Sequence, residues 1–144
     1  MKIRTNYLIL DILGIFFILF GIVAISNSMY SQNPAQILYL CYVGLIIIGI
    51  GILTKREYFI TSQVYILLIP HLIWTIDFFY QIILDKPLWG ITDYFFKDNL
   101  DILGNIISLQ HLFLIPLAIY ALILLGTSRK DSLKWSFIQI TLVY

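Results

Sequence analysis

Four apolar runs, each about as long as a bilayer is thick, constrain this chain more than any other feature of its sequence. A membrane-crossing helix needs about 20 largely apolar residues rising about 1.5 Å each. Runs of that kind cover roughly residues 7–25, 37–53, 59–83 and 102–125. Between them, "SNSMYSQNPAQ", "TKREY", "LDKPLWGITDYFFKDNLD" and "GTSRKDSLKW" gather the turn formers and charges that connections require. With 60 % hydrophobic and 12 % charged residues over 144 positions, the chain cannot wet the surface of a soluble globule. The sequence therefore predicts an all-α fold, a polytopic transmembrane helix bundle with four full spans in one domain, residues 1–144. A fifth run, 135–144, would rise about half the bilayer. We read it as the start of another span and expect a longer parent chain.

The distribution of charge predicts orientation. Lys2, Arg4, Lys55, Arg56, Arg129, Lys130 and Lys134 fall on one side of the four runs, and only Lys86 and Lys97 on the other. Positive loops stay in the cytoplasm, so the expectation is a multi-pass protein of the cell membrane with a cytoplasmic N-terminus. The loop 84–101, which also holds Asp85, Asp93, Asp98 and Asp101, then faces outward. A competing reading makes "MKIRTN" and the first run a secretory signal, with Ala24 and Ser26 at the cleavage positions. Against it, the run is long for a signal core and Asp11 interrupts it early. Membrane lipid is the partner such a chain must have, alongside a second copy or another membrane subunit. It lacks the basic stripe of a nucleic-acid reader, and its single cysteine, Cys41, excludes an internal disulfide.

Against this apolar background the polar residues inside the runs become the candidates for function. Counting about 1.5 Å per residue from the ends of the third and fourth spans, His71 and His111 both lie about 12–13 Å below the outer boundary of the hydrocarbon. Asp77, Cys41 and Ser108 also fall in the outer half, and Asp11 is the one polar group assigned to the inner half. Asp11 is near enough to the cytoplasmic face for Arg4 or Lys55 to reach it by snorkelling. On the third span His71 shares a face with Leu67, Trp74, Thr75 and Phe78, while Asp77 lies about 120° around, nearer Trp74 and Gln81. Gly104, Ser108, His111 and Ala118 form a stripe of mostly small residues that turns His111 toward the bundle. Pro70 and Pro116 free the carbonyls of Ile66 and Leu112. Glycines 14, 21, 44, 49 and 51 predict close helix contact.

These placements predict an outward-facing polar pocket inside the membrane that binds lipid or a small amphiphile. His71 and His111 are its core, with Ser108, Asp77, Trp74 and Thr75 as ligand-binding residues. Trp89, Tyr94, Phe95 and Phe96 read first as an aromatic belt at the water boundary, with a short interfacial helix starting near Thr92, whose side chain can cap it; the functional alternative is a lid over the pocket. Other chemistries stay open. His71, His111 and Asp77 are a donor set that fits zinc, leaving a position for water as in a metal-dependent hydrolase. Cys41 and His111 are the residue types of a nucleophile and its base. The bland alternative is a structural or assembly subunit whose histidines only fix helix register.

The segments "ILYLCYVGLIIIGIGILTKREYF" and "YFFKDNLDILGNIISLQHLFLIPLAIYAL" resemble the YwaF-type multi-span integral membrane proteins over residues 37–125. Shared are a Leu-Cys pair in a leucine-rich helix, a basic turn after it, and a later span bearing a histidine after an aromatic loop. Tyr39 and Leu112 depart from that pattern, standing where the family has a histidine and a small residue. The resemblance implies a bundle with further spans. It also implies acyl-transfer chemistry on phospholipid, with Cys41 and His111 as catalytic residues.

Overall fold

The computed structural model describes residues 2–30, 40–96 and 102–126, and side chains from residue 6 onward. Every regular element among them is helical: α1 (Lys2–Tyr30), α2 (Leu40–Leu53), α3 (Glu57–Leu84), a 3-10 turn (Asp93–Phe96), α4 (Ile102–Ser108) and α5 (Gln110–Leu125). Three stretches are long and apolar enough to cross a membrane, Asn6–Tyr30, Glu57–Leu84 and Ile102–Leu125. The second expected span, 37–53, is described only from Leu40. Its 14 helical residues rise about 21 Å, short of an about 30 Å hydrocarbon core. The fifth run and the charges at Lys97, Asp98, Asp101, Arg129, Lys130 and Lys134 lie outside the described residues.

α1 packs along α2, α2 on α3 and α3 on α5, while α1 also touches α4 and α5. The core is apolar and made by all of the long helices, with Leu10 and Phe17 of α1, Leu45 and Ile48 of α2, Leu67 of α3 and Leu114 of α5 fully enclosed. The outside is apolar too. Leu8, Ile12 and Leu19 of α1, Ile69 and Ile83 of α3 and Ile123 of α5 are more than half exposed. An exterior that apolar is compatible with lipid as its solvent.

Glycine sets the tightest crossing. A methyl group added at Gly49 would stand 2.9 Å from the Gly14 carbonyl oxygen and 3.0 Å from the Ile18 nitrogen, so α1 and α2 meet backbone to backbone there. Gly44 likewise abuts Leu67 of α3. Gly104 differs from the expectation for its stripe, because nothing among the described residues lies within 4 Å of its added methyl. Ala118, on the same stripe, is fully buried.

The turn from α2 to α3 closes as a Schellman motif: Arg56 N–H donates to the Gly51 carbonyl at 2.8 Å and Lys55 N–H to that of Ile52 at 3.1 Å. Its left-handed position, usually glycine, is Lys55 at φ 56°. The lysine has a use there, since its ammonium pairs with the Asp11 carboxylate and lies 5.8 Å from the centre of the Tyr7 ring. Asp11 is therefore held by one of the two cations expected for it.

The inner half is not otherwise free of polar groups. Thr61, Ser62 and Gln63 of α3 are all buried. Thr61 and Ser62 donate back to the carbonyls of Glu57 and Phe59 at 2.9 and 2.8 Å. Gln63 donates to the Ser62 hydroxyl at 3.3 Å. All three stand in the third run of the sequence, so Asp11 is not the one polar group of that half; the two hydroxyls bond their own helix.

Candidate functional site

The expected single span 102–125 is broken at Leu109, and the break shapes the site. Leu112 N–H donates to the Leu109 carbonyl at 3.0 Å in place of the Ser108 carbonyl one residue earlier. The Ser108 carbonyl is thereby left for the His111 ring, whose Nδ1 lies 2.8 Å away. A carbonyl can only accept, so Nδ1 carries the proton and the Nε2 lone pair of a neutral His111 stays available. The Ser108 hydroxyl points elsewhere, donating to the Gly104 carbonyl at 2.9 Å.

His71 and His111, level by the depth estimate, face each other with ring centroids 4.6 Å apart. Trp74 stacks on His111 at 4.7 Å and on Phe78 at 4.9 Å, so α3 presents a column of rings one turn apart. Thr75 reaches the His111 carbonyl with its hydroxyl at 3.5 Å. His71 is only 3 % exposed, and neither of its ring nitrogens has an aligned hydrogen-bond partner among the described residues. A buried polar group left that way costs about 1–3 kcal/mol, which makes the imidazole a polar group of this site in need of a partner.

Asp77 is occupied differently. Its carboxylate accepts from the amides of Leu88, Trp89 and Thr92 at 3.0, 2.7 and 2.8 Å and from the Thr92 hydroxyl at 2.8 Å. The same hydroxyl is 3.2 Å from Gln81 Oε1. One carboxylate thus folds the loop 88–92 over the end of α3, aided by Gly90 at φ 76°. The expected short helix after Thr92 is a 3-10 turn, and the Thr92 hydroxyl goes to Asp77 where a cap was expected. From that turn the Tyr94 hydroxyl accepts from the Trp74 indole at 2.9 Å. Phe95 and Phe96 pack on Phe78 at 5.0 and 5.5 Å. Trp89, by contrast, is 55 % exposed.

The zinc set is therefore not assembled: two histidines meet, but Asp77 is spent on the loop. No group of three His, Cys, Asp or Glu side chains among the described residues is close enough to share a metal. Cys41 is half-buried and lies beside the side chain of Gln110, while the bonded nitrogen of His111 is turned to Ser108. Gln110 is the residue the sequence reading missed. It is completely buried, and neither polar atom of its amide makes an aligned hydrogen bond. Its one sequence signal is its position next to His111, about 100° around the same helix.

The class these features define is an all-helical, lipid-compatible bundle with a facing histidine pair, one ring buried and the other half-buried, under an aromatic loop. No protein-family model, curated protein or solved structure matches this chain.

Proposed function

We propose that this chain is a multi-pass integral protein of the cell membrane, with a cytoplasmic N-terminus and α2 as a fourth crossing. In its outer half it binds a membrane lipid or small amphiphile at the His71–His111 pair. The observation that carries the reading is the His71 imidazole, enclosed yet without an aligned partner at either nitrogen. A polar head seated there would meet the unused His71 nitrogens and the free His111 Nε2, and its chain would leave along the apolar exterior. The ring column of Trp74 and Phe78 supports it, because flat apolar walls with few convergent polar atoms are what small-ligand sites are made of. The loop held by Asp77 is the cover, which keeps water from the histidines and favours entry from the side, through lipid.

A photoreactive, diazirine-bearing amphiphile tests the reading in liposomes. Cross-links should map to residues 71–78 and 108–111 and fall several-fold in His71→Phe, which keeps a flat ring and removes both nitrogens. Cross-links spread evenly over the lipid-facing residues in both proteins would show mere solvation by lipid.

A further inference from the structure

Gln110 extends the site to a third helix. Gly44 of α2 abuts Leu67 of α3; one turn further toward the outer end lie Cys41 on α2 and His71 on α3. Gln110, beside Cys41, precedes His111, whose ring faces His71. Cys41, His71, Gln110 and His111 therefore form one polar layer across α2, α3 and α5. Both His71 and Gln110 are more than nine-tenths buried; the Leu67 carbonyl lies beside the first and the Cys41 thiol beside the second, but none of their four side-chain polar atoms has an aligned partner among the described residues. Buried amides and imidazoles in native proteins are nearly always bonded; Asp93 and Asn105 each leave one oxygen open elsewhere, whereas here every polar atom of two side chains is open.

The chemistry of the layer is neutral and two-sided. An amide offers both N–H donors and a carbonyl acceptor, and a neutral imidazole one of each. Among the described residues, the ionisable side chain facing His71 is that of His111, and no charged side chain is recorded against Cys41 or His111. Asp77 is saturated by the loop, and the Lys55–Asp11 pair belongs to the other end of the bundle. A phosphate or ammonium head would be stripped of water here with no counter-charge, which is costly. A hydroxyl both donates and accepts, so it complements the layer without any charge.

We propose, resting on the amphiphile-binding reading above, that Gln110 and His71 together select an uncharged, hydroxyl-bearing lipid head of the diacylglycerol type over charged phospholipid heads. The test is competition against the photoreactive amphiphile on the full chain in detergent, with dioleoylglycerol and dioleoylphosphatidylglycerol as competitors. The wild-type protein should bind the neutral lipid about tenfold or more tighter, on the scale of one or two hydrogen bonds. Gln110→Met, close in shape and without the amide, should erase most of that preference. Equal affinities in the wild type, a measurement that needs no variant, would overturn the head-group assignment and leave amphiphile binding standing. Selectivity unchanged by Gln110→Met would remove Gln110 from the site. Failure of both lipids to compete, with labelling indifferent to His71→Phe, would overturn this proposal and the reading beneath it together.

Discussion

At the scale of single residues, His71 and Asp77 of α3 divide the work. Asp77 has its oxygens filled by three amides and a hydroxyl, and His71 has the Leu67 carbonyl beside it but no aligned partner at either nitrogen among the described residues. The first arrangement is structural, and the second is the one on which the proposed amphiphile site rests. Hydrogen bonds to an ionised acceptor are worth about 1.5–3 kcal/mol each, so Asp77→Ala should release the loop. Hydrogen exchange at the Leu88, Trp89 and Thr92 amides should then rise by orders of magnitude, while the amides of α3 below Trp74 keep their protection. Asp77→Asn keeps an acceptor and should release the loop only in part. Unchanged exchange in the alanine variant would mean that the aromatic contacts of Phe95 and Phe96 hold the loop without the carboxylate.

At the scale of elements, the meeting of His71 and His111 was legible because helical rise converts residue count into depth, and both spans have clear ends. The face of α3 was equally legible, since Leu67, His71, Trp74 and Phe78 recur at helical spacing and all are buried. The role of Asp77 was not. Its partners are backbone amides of a loop with no periodicity, and amides leave no mark in a sequence. Gln110 was missed because a lone glutamine in an apolar run gives no clue to which neighbour it faces. The break at Leu109, which hands the Ser108 carbonyl to His111, likewise has no proline or glycine beside it.

Glycine gives the element-scale predictions, and they differ in sign. Gly49→Ala pushes a methyl against the Gly14 and Ile18 backbones and should destabilise the protein by about 1–3 kcal/mol. Gly104→Ala meets no described neighbour within 4 Å and should stabilise it by about 0.5–1 kcal/mol through helix propensity. Thermal unfolding in one detergent compares both with the wild type. Equal effects would remove the α1–α2 crossing from the account.

At the scale of the whole molecule, the Asp11–Lys55 clasp at one end and the loop over Trp74 at the other give the bundle two distinct ends. In a Cys41→Ser background, a cysteine at exposed Trp89 should react with a membrane-impermeant maleimide added outside intact cells. One at exposed Thr54 should react only after permeabilisation. The opposite pattern would invert the orientation and make the histidine pair an inner-leaflet site. That outcome would leave the helix packing untouched, because no contact between the helices depends on which end faces the cytoplasm.

The central claim, that the His71–His111 pair holds an amphiphile, is tested most directly by native mass spectrometry of the purified protein released gently from detergent. The wild type should carry a lipid-sized adduct at one per chain, and His71→Phe, folded to the same thermal stability, should have lost it. An identical adduct on both proteins, or none on either across a series of detergents and added lipids, would contradict the claim and return the histidine pair to helix packing alone.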